Sequence, residues 1–350
     1  MSFSNNTILV LFGGCSTEYG VSLQSAAAVL AHFPPAYTPL PVGITRDGRW
    51  LRYFGPVDAL PADRWQKNAV PCTLSLDRGG CALLWLDGSH RREEFAAAFP
   101  VLHGKNGEDG TVQGVFELAG VPVIGCGVLP SALCMDKDRA HKLAALAGIA
   151  VPKSAKFDRG AAAGEIAATA ESIDWPLFVK PVRAGSSFGI SRIEAPEALR
   201  DAVAAAFEQD SEILLEEAVP GFEVGCAVLG LPEGELTVGE VDEIELSQGF
   251  FDFEEKYTLK TSAIHCPARI PAEKAAAIKA AACKVYRALG CRVFARIDLF
   301  LTPDGKIIFN EANTIPGFTA HSRYPGMMRA AGLEFEPLLA KMIELGVQPA

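Results

Sequence analysis

The sequence has no long hydrophobic run and no closely spaced pair of cysteines. No stretch of its 350 residues approaches the ~20 consecutive apolar residues that span a bilayer. The apolar run that begins at Ile8 is also too short for the hydrophobic segment of a signal peptide. The nine cysteines are scattered and form no C-x-x-C pair. These features predict reduced thiols in a cytoplasmic protein.

The sequence also lacks an excess of positive charge and the common phosphate-binding loops. Its net charge is −10, which argues against a general binder of nucleic acids or anionic membranes. Neither G-x-x-x-x-G-K-[ST] nor a clean G-x-G-x-x-G occurs, so a nucleotide enzyme built on this chain must grip phosphate in another way. Hydrophobic residues make up 49% of the chain, an ordinary globular composition.

The order of predicted elements divides the chain into three parts. The opening TILVLFGG predicts a buried strand and a glycine turn, and EYGVSLQSAAAVLAHF predicts the next helix. This order is typical of an α/β domain with a parallel sheet. A first boundary is predicted near Ala132, and from about Pro220 onward the chain is rich in predicted strands.

The segment CRVFARIDLFLTPDGKIIFNEAN predicts a β-hairpin near the C-terminus. Asp304-Gly305 is typical of a two-residue type I′ turn. Side chains two apart on a strand share a face, so this turn predicts a polar group on one face of the hairpin. In that register Asp298 lies opposite Glu311, and Arg296 lies opposite Asn313.

This polar face has two interpretations. Two opposed carboxylates with an amide nearby suit a hard cation such as Mg²⁺, which also bridges phosphates. Arg296 beside them would meet further anionic oxygens. A solvated strand face with a cross-strand ion pair would give the same alternation of polar and apolar residues.

The segment GSSFG, residues 185–189, matches the nucleophile motif of serine hydrolases. That motif requires a helix after the serine, whereas ISRIEAP predicts a second strand. A small-residue loop between strands fits a phosphate lid better, because its N–H groups and hydroxyls can surround oxygens. Lys180 in the preceding apolar strand would be a natural phosphate partner, although a lysine at a strand edge would look the same.

Eight segments in order resemble the D-alanine–D-alanine ligase family of the ATP-grasp superfamily. They cover nearly the whole chain, and their order and spacing make the resemblance specific. The segments are LFGGCSTEYGVSLQSA, HGKNGEDGTVQG, MDKDRAHKL, FVKPVRAGSSFGIS, EEAVPGFEV, FFDFEEKY, RIDLF and NEANTIPGFTAHS. Such enzymes use ATP to phosphorylate the carboxylate of a first D-alanine, and a second amino acid then attacks the acyl phosphate to give a dipeptide for peptidoglycan precursors.

The resemblance implies a fold class of mixed α/β and α+β, with an N-terminal α/β domain at residues 1–132, a small α+β domain at 133–217 and an antiparallel C-terminal domain at 218–350.

The resemblance also implies a nucleotide and metal site. Its cofactors would be ATP and two Mg²⁺ ions, with Mn²⁺ as a substitute. Arg296 would stabilise the acyl phosphate and the oxyanion formed on attack. The implied phosphate ligands are Lys137, Lys180, Ser186 and Ser187, the adenine and ribose ligands Glu216, Glu217 and Glu223, and the metal ligands Asp298, Glu311 and Asn313.

The resemblance also implies amino-acid ligands. Glu18 would bind the ammonium group of the first D-alanine near His103, while Gly317 and Ser322 would receive the second substrate. Lys256 and Tyr257 would lie on a loop that closes over the site. Two structural alternatives stay open: Glu18 could cap the following helix, and His103 could merely stabilise its loop. The other histidines are expected to have no chemical role.

Two positions depart from the commonest pattern of the family. Many members carry an aliphatic residue at Arg323 and a tyrosine at Phe251, whereas the residues found here resemble vancomycin-resistance-type ligases. Retention of Lys256-Tyr257 disfavours D-lactate, so the combination most resembles D-alanine–D-serine ligases. A guanidinium can hydrogen-bond the serine hydroxyl, a bond worth about 1.5–3 kcal/mol. The alternative is that Arg323 faces solvent or pairs with a carboxylate.

Other functions remain open at this stage. A housekeeping D-alanine–D-alanine ligase and another ATP-grasp carboxylate–amine ligase would share most of these residues. A non-catalytic nucleotide-binding protein would be expected to lose Arg296 or a metal carboxylate, and all are present. The resemblance further implies a homodimer, and no nucleic acid or membrane partner is expected.

Overall fold

The structure is a computed structural model that describes residues 6–185, 188–246 and 262–348. It contains three β-sheets flanked by helices, in the order of the three predicted parts of the chain. Within these described residues, no helix combines the length and apolar character that crossing a bilayer requires.

The first sheet has seven strands and is mixed rather than parallel throughout. Its order is β6-β5-β4-β3-β2-β1-β7; β1 pairs in parallel with β2 and β7, and the remaining pairs are antiparallel. The strands are β1 Thr7–Gly13, β2 Thr38–Ile44, β3 Trp50–Tyr53, β4 Ala69–Leu74, β5 Ala82–Trp85, β6 Arg92–Glu94 and β7 Ala97–Pro100, with helices α1 Tyr19–Ala31 and α2 Thr111–Ala119.

The end of β1 positions the first residues of the site. Gly13 has φ +87°, and a Cβ there would collide with the carbonyl oxygen of Ile44 on β2. Its N–H donates to the Ser22 hydroxyl oxygen at 2.8 Å. Glycine is therefore required for the tight turn that leads from β1 into α1.

The second sheet has four antiparallel strands in the order β10-β9-β11-β8. Two helices precede it in the chain and pack on the core of the third sheet instead. The elements of this part are α3 Val128–Met135, α4 Lys137–Leu146, β8 Ser154–Asp158, α5 Ala163–Glu171, β9 Leu177–Pro181, β10 Ser191–Ile193, α6 Leu199–Gln209 and β11 Glu212–Glu217.

The third sheet is antiparallel in the order β15-β14-β12-β16-β17, with β13 paired to β12. This agrees with the antiparallel C-terminal domain predicted from the sequence. Its elements are β12 Phe222–Gly230, β13 Thr237–Val238, β14 Asp242–Leu246, β15 Ser262–His265, α7 Ala272–Ala288, β16 Val293–Leu301, β17 Ile307–Asn313, α8 Arg323–Ala330 and α9 Phe335–Gly346.

The predicted β16–β17 hairpin is present, and its polar pairs are confirmed. Asp298 pairs with Glu311, and Arg296 pairs with Asn313. The predicted type I′ turn is wrong, because it needs positive φ at both central residues and only Gly305 has it. The Gly305 N–H donates to the Thr302 carbonyl, which makes the loop one residue longer.

A β-bulge restores the predicted register at the site. Leu299 pairs with Phe309, whereas the preceding residue Asp298 pairs with Glu311. Asn310 is therefore the extra residue on β17. The longer turn and the bulge each shift the register by one residue, and the two shifts cancel.

An aromatic cluster joins the first and third sheets. Phe99 on β7 meets Phe294 on β16 and Phe318, with ring centroids 6.1 and 5.8 Å apart. Phe294 and Phe318 also meet edge to face at 5.6 Å. These fully buried rings fix the N-terminal sheet against the segment that follows β17, and so fix two walls of the site.

Candidate active site

Two cavities of similar size meet at the centre of the molecule. The first cavity, about 660 Å³, lies between the N-terminal part and the third sheet. The second cavity, about 670 Å³, lies between the second and third sheets. Lys137, Ala184 and Glu311 line both. The predicted site residues in the first cavity are Glu18, His103, Arg296, Asn313, Gly317, Ser322 and Arg323, and those in the second are Lys180, Glu216, Glu217 and Glu223.

Asp298 is the most heavily contacted carboxylate of the site. Arg296 donates to it through Nε at 2.8 Å and through Nη2 at 2.7 Å. The Asn313 amide donates to Oδ2 at 2.9 Å. Burial acts to lower the pKa of Arg296, but the adjacent Asp298 outweighs it and the pKa is raised. The Arg296 guanidinium therefore stays charged.

The donor set on β16 and β17 fits a divalent metal that is also bound by phosphate and water. Among the described residues, no group of three or more His, Cys, Asp or Glu side chains forms a metal site by itself. The carboxylates of Asp298 and Glu311 are opposed across the hairpin, and Asn313 adds an amide oxygen. Glu311 also lines both cavities. Hard oxygen ligands of this kind suit Mg²⁺, which retains water and bridges phosphates.

Arg323 is buried among three carboxylates. Its Nε and Nη2 each donate to Asp242 at 2.8 Å. Its Nη1 donates to Glu223 at 2.6 Å and lies 3.3 Å from Asp298. The structure thus shows the alternative in which this arginine pairs with carboxylates. One N–H of Nη2 is not used by these contacts, and the side chain still forms part of the first cavity wall.

Glu18 lies at the N-terminus of α1 but does not cap it, since its side chain makes no capping hydrogen bond. Its carboxylate instead lies against Gly104 and Gly185. A Cβ at Gly185 would be 2.7 Å from Glu18 Oε2, and one at Gly104 would be closer still. Both glycines leave room for this carboxylate at the first cavity.

Glu108 is a site residue that the sequence analysis missed. Its carboxylate accepts the N–H of Gly104 at 2.8 Å and that of Ile315 at 3.2 Å. Burial and the nearby Glu18 raise the pKa of Glu108 to about 8. The motif HGKNGEDGTVQG contains Glu108. Nothing in the sequence indicates that this side chain lines the first cavity rather than facing solvent.

His103 supports the wall of the first cavity. Its Nδ1–H donates to the Ile315 carbonyl at 3.0 Å, and its Nε2 lies 3.0 Å from the Ser25 hydroxyl. Burial lowers the pKa of His103 to about 4. Both ring nitrogens make hydrogen bonds within the protein. These contacts agree with the alternative in which His103 stabilises its loop.

The second cavity contains a buried ion pair. Lys180 on β9 is hydrogen-bonded to Glu216 on β11. Lys137 donates to the Ala184 carbonyl at 2.8 Å, at the junction of the two cavities. The Glu217 carboxylate accepts the Lys153 N–H at 2.9 Å. Glu223, expected at the ribose, is bonded to Arg323.

The segment after β17 holds the predicted receiver of the second substrate. The Ser322 hydroxyl accepts the Thr319 N–H at 2.9 Å. A Cβ at Gly317 would lie 2.6 Å from Ser322 Oγ, so glycine allows this close approach. The remaining predicted site residues lie outside the described residues: Ser186, Ser187, Phe251, Lys256 and Tyr257.

Comparison with known proteins decides the family. Residues 7–126 match the family model "D-ala D-ala ligase N-terminus", and residues 143–344 match "D-ala D-ala ligase C-terminus". The chain belongs to the D-alanine–D-alanine ligase family. The ligase therefore has the ATP-grasp fold and is an ATP-dependent enzyme that joins D-amino acids. The family also implies use of a divalent metal.

Similar proteins include ligases of several kinds. The chain is 42% identical to "Vancomycin B-type resistance protein VanB" of Enterococcus faecalis, over 97% of this chain and 98% of that protein. It is 43% identical to a "Putative D-alanine--D-lactate ligase" of Streptomyces coelicolor, over 97% and 96%. The crystal structure of VanG D-Ala:D-Ser ligase from Enterococcus faecalis is 54% identical, with a TM-score of 0.89 over 98% of this chain and 99% of that one.

Proposed function

We propose that the ligase joins D-alanine to D-serine. The observation that carries this proposal is the buried Arg323 guanidinium in the wall of the first cavity, where one N–H of Nη2 remains outside its carboxylate contacts. A hydroxyl is an acceptor that such a donor can bind. The 54% identity to a D-Ala:D-Ser ligase supports the same substrate.

The first step would transfer the γ-phosphoryl group of ATP to the carboxylate of D-alanine. Glu18 would hold the ammonium group of that D-alanine in the first cavity. Lys137 lies where the cavities meet, so it would contact the phosphoryl group in transit. Lys180 would bind nucleotide phosphate after leaving Glu216, which would then be available to the adenine.

The second step would be attack by the amine of D-serine on the acyl carbon. The C–N bond forms, the C–O bond to phosphate breaks so that inorganic phosphate leaves, and the proton lost by the attacking amine passes to solvent water. Arg296, aimed at this point from β16, would stabilise the oxyanion through a preorganised charged donor. Asp298, Glu311 and Asn313 would hold two Mg²⁺ ions. Bound there, these ions would neutralise charge on the transferred phosphate.

The same proposal includes the finer details implied by the family resemblance. The ligase would act in the cytoplasm as a homodimer, and its dipeptide would be used to make peptidoglycan precursors. Light scattering of the purified protein tests the dimer, since a monomeric mass at micromolar concentration would contradict it.

A second candidate is a ligase that uses D-lactate, because a relative named as a putative D-alanine–D-lactate ligase is 43% identical. Mass spectrometry of products separates the candidates. The enzyme would receive ATP, Mg²⁺ and D-alanine, then equimolar D-serine or D-lactate. Mainly D-alanyl-D-serine supports the proposal. Mainly D-alanyl-D-alanine or D-alanyl-D-lactate overturns it, while leaving family membership intact.

A further inference from the structure

His141 is a buried histidine to which the proposed function gives no role. It lies on α4, four residues after Lys137 and therefore on the same helix face. Its side chain is only 4% exposed. Its ring packs edge to face on Phe309 of β17, with centroids 5.6 Å apart.

The hydrogen bond of His141 fixes its tautomer. Nε2 lies 2.7 Å from the carbonyl oxygen of Asn310. A carbonyl can only accept, so Nε2 carries the hydrogen and Nδ1 of the neutral ring is an acceptor. Burial lowers the pKa of His141 despite the nearby Glu216, so the neutral form is favoured.

The other side of the ring faces Glu216, which lines the second cavity. Nδ1 is 3.8 Å from Glu216 Oε2, and neither atom has a hydrogen-bond partner within the part of the chain that is described. Lys180 and Lys137 are the other charged groups that act on this imidazole. His141 thus lies directly behind the residues expected to bind nucleotide.

Asn310 is the extra residue of the β-bulge on β17. Among the residues that the structure describes, β17 is the edge strand of its sheet, and its outer side meets only an isolated bridge at Ala150. The backbone groups on that side are held by other means: Phe309 N–H donates to the Ala150 carbonyl at 2.8 Å, and the Asn310 carbonyl accepts from His141. The bulge sets the register in which Glu311 opposes Asp298.

We propose that His141 is a positioning residue for the metal site: its Nε2–H holds the bulge at Asn310 and so orients Glu311. The inference rests on the proposed metal role of Glu311. Residues that orient metal ligands through a hydrogen bond commonly change metal affinity about 10–100-fold when replaced. His141 would act on Glu311 through one backbone carbonyl.

Three variants separate the hydrogen bond from packing. His141→Phe keeps a ring against Phe309 and removes the donor. His141→Gln can place an amide N–H near the position of Nε2. His141→Asn is equally polar but too short to reach the Asn310 carbonyl. Leu146→Ala, at an exposed position on the same helix, is the control.

The measurement is Mn²⁺ binding in the presence of ADP, followed by electron paramagnetic resonance, together with the Mg²⁺ dependence of turnover. We expect His141→Phe and His141→Asn to weaken Mn²⁺ binding about tenfold or more. His141→Gln and Leu146→Ala should bind Mn²⁺ as the wild type does. The KM for D-alanine should stay unchanged in all four.

Equal Mn²⁺ affinity in wild type, His141→Phe and His141→Asn would overturn the inference. If His141→Phe does not fold, the Asn and Gln pair decides, because both are polar and only one reaches the carbonyl. Failure of the proposed function looks different: the wild type itself would then form no D-alanyl-D-serine. Wild-type Mn²⁺ binding that vanishes in Glu311→Gln checks the role of Glu311 independently of the second substrate.

Discussion

The first and second cavities have almost the same volume but opposite charge arrangements. In the first cavity the carboxylates of Glu18 and Glu108 lie close together, and burial together with the repulsion from Glu18 raises the pKa of Glu108. Of the cations in its wall, Arg296 is paired with Asp298 and Arg323 with Asp242. Because Glu108 is protonated below about pH 8, Glu18 is the carboxylate that a substrate ammonium group would balance.

In the second cavity the cation is already balanced. Lys180 is paired with the buried Glu216. Under the proposed role of Lys180, an incoming phosphate would compete with Glu216 for this lysine, and the carboxylate would be released. The first cavity would then be prepared for a cation, whereas the second would exchange partners on binding an anion.

Arg323 lines the first cavity and pairs with Glu223, which lines the second. Its replacement should therefore have the largest effect. Arg323→Met leaves Asp242 buried without its bidentate partner, which we expect to cost about 3–5 kcal/mol of unfolding free energy. Chemical denaturation measures this loss. The ratio of D-serine to D-alanine products should also fall, as mass spectrometry would show.

The double variant Arg323→Met with Asp242→Asn separates stability from specificity. It should recover part of the lost stability, because no uncompensated carboxylate remains at position 242, while the product ratio stays low. Arg329→Met, exposed on the same helix, is the control. An unchanged product ratio in the double variant would remove Arg323 from substrate selection.

The Arg296→Lys variant should slow dipeptide formation in the first cavity without changing nucleotide binding in the second. Lysine keeps the charge but loses the guanidinium geometry that contacts Asp298, so we expect dipeptide formation to fall about 10²–10³-fold. Nucleotide affinity, measured by calorimetry, should stay near that of wild type. A parallel loss of both would mean that the cavities do not act as distinct subsites.

The opposed pairs of the β16–β17 hairpin could be predicted from alternation, but the bulge could not. A two-residue turn and a longer turn with a bulge place Asp298 opposite Glu311 equally well. The sequence carries no local signal for an extra residue at Asn310, since the bond that satisfies its carbonyl comes from a helix far away in the chain.

The partners of Arg323 were beyond sequence reasoning for the same reason. Asp242 and Glu223 lie on different strands, and only the β14-β12-β16 order of the sheet brings them to Asp298. Glu108 was missed because its environment is created by Ile315, at the other end of the chain. Local pattern predicts which side chains share a face, whereas burial by distant segments sets their charge.

Lys180→Met tests the exchange of partners in the second cavity. Loss of a charged hydrogen-bond donor, about 1.5–3 kcal/mol, should weaken nucleotide binding roughly 10–150-fold. The KM for D-alanine should not change. Lys306→Met, at an exposed turn, is the control, and the double variant with Glu216→Gln relieves the carboxylate that is left buried.

If nucleotide binding in the double variant returned to the wild-type value, the Lys180–Glu216 pair would be structural only. If it stayed weaker than in Glu216→Gln alone while the protein remained as stable as wild type, the lysine would contact the phosphate directly. The second result is the one expected from the comparison of the cavities.

The ionisation of Glu108 should give the smallest effect on substrate binding. This effect is visible only in the pH dependence of the KM for D-alanine. The raised pKa of Glu108, about 8, means that the carboxyl is protonated below that pH and ionised above it. Ionisation adds negative charge beside the substrate ammonium, worth about 1 kcal/mol where water screens it. The KM for D-alanine should therefore fall about fivefold as pH rises through 8.

Stability should move in the other direction over the same range. The folded protein holds the Glu108 proton more tightly than the unfolded chain, so the unfolding free energy should decline as pH rises from about 4.5 through 8. Glu108→Gln should flatten both profiles, and Glu117→Gln, exposed on the following helix, should flatten neither. A flat KM with a sloping stability would mean that Glu108 only anchors Gly104 and Ile315, and that the negative charge of the first cavity belongs to Glu18 alone.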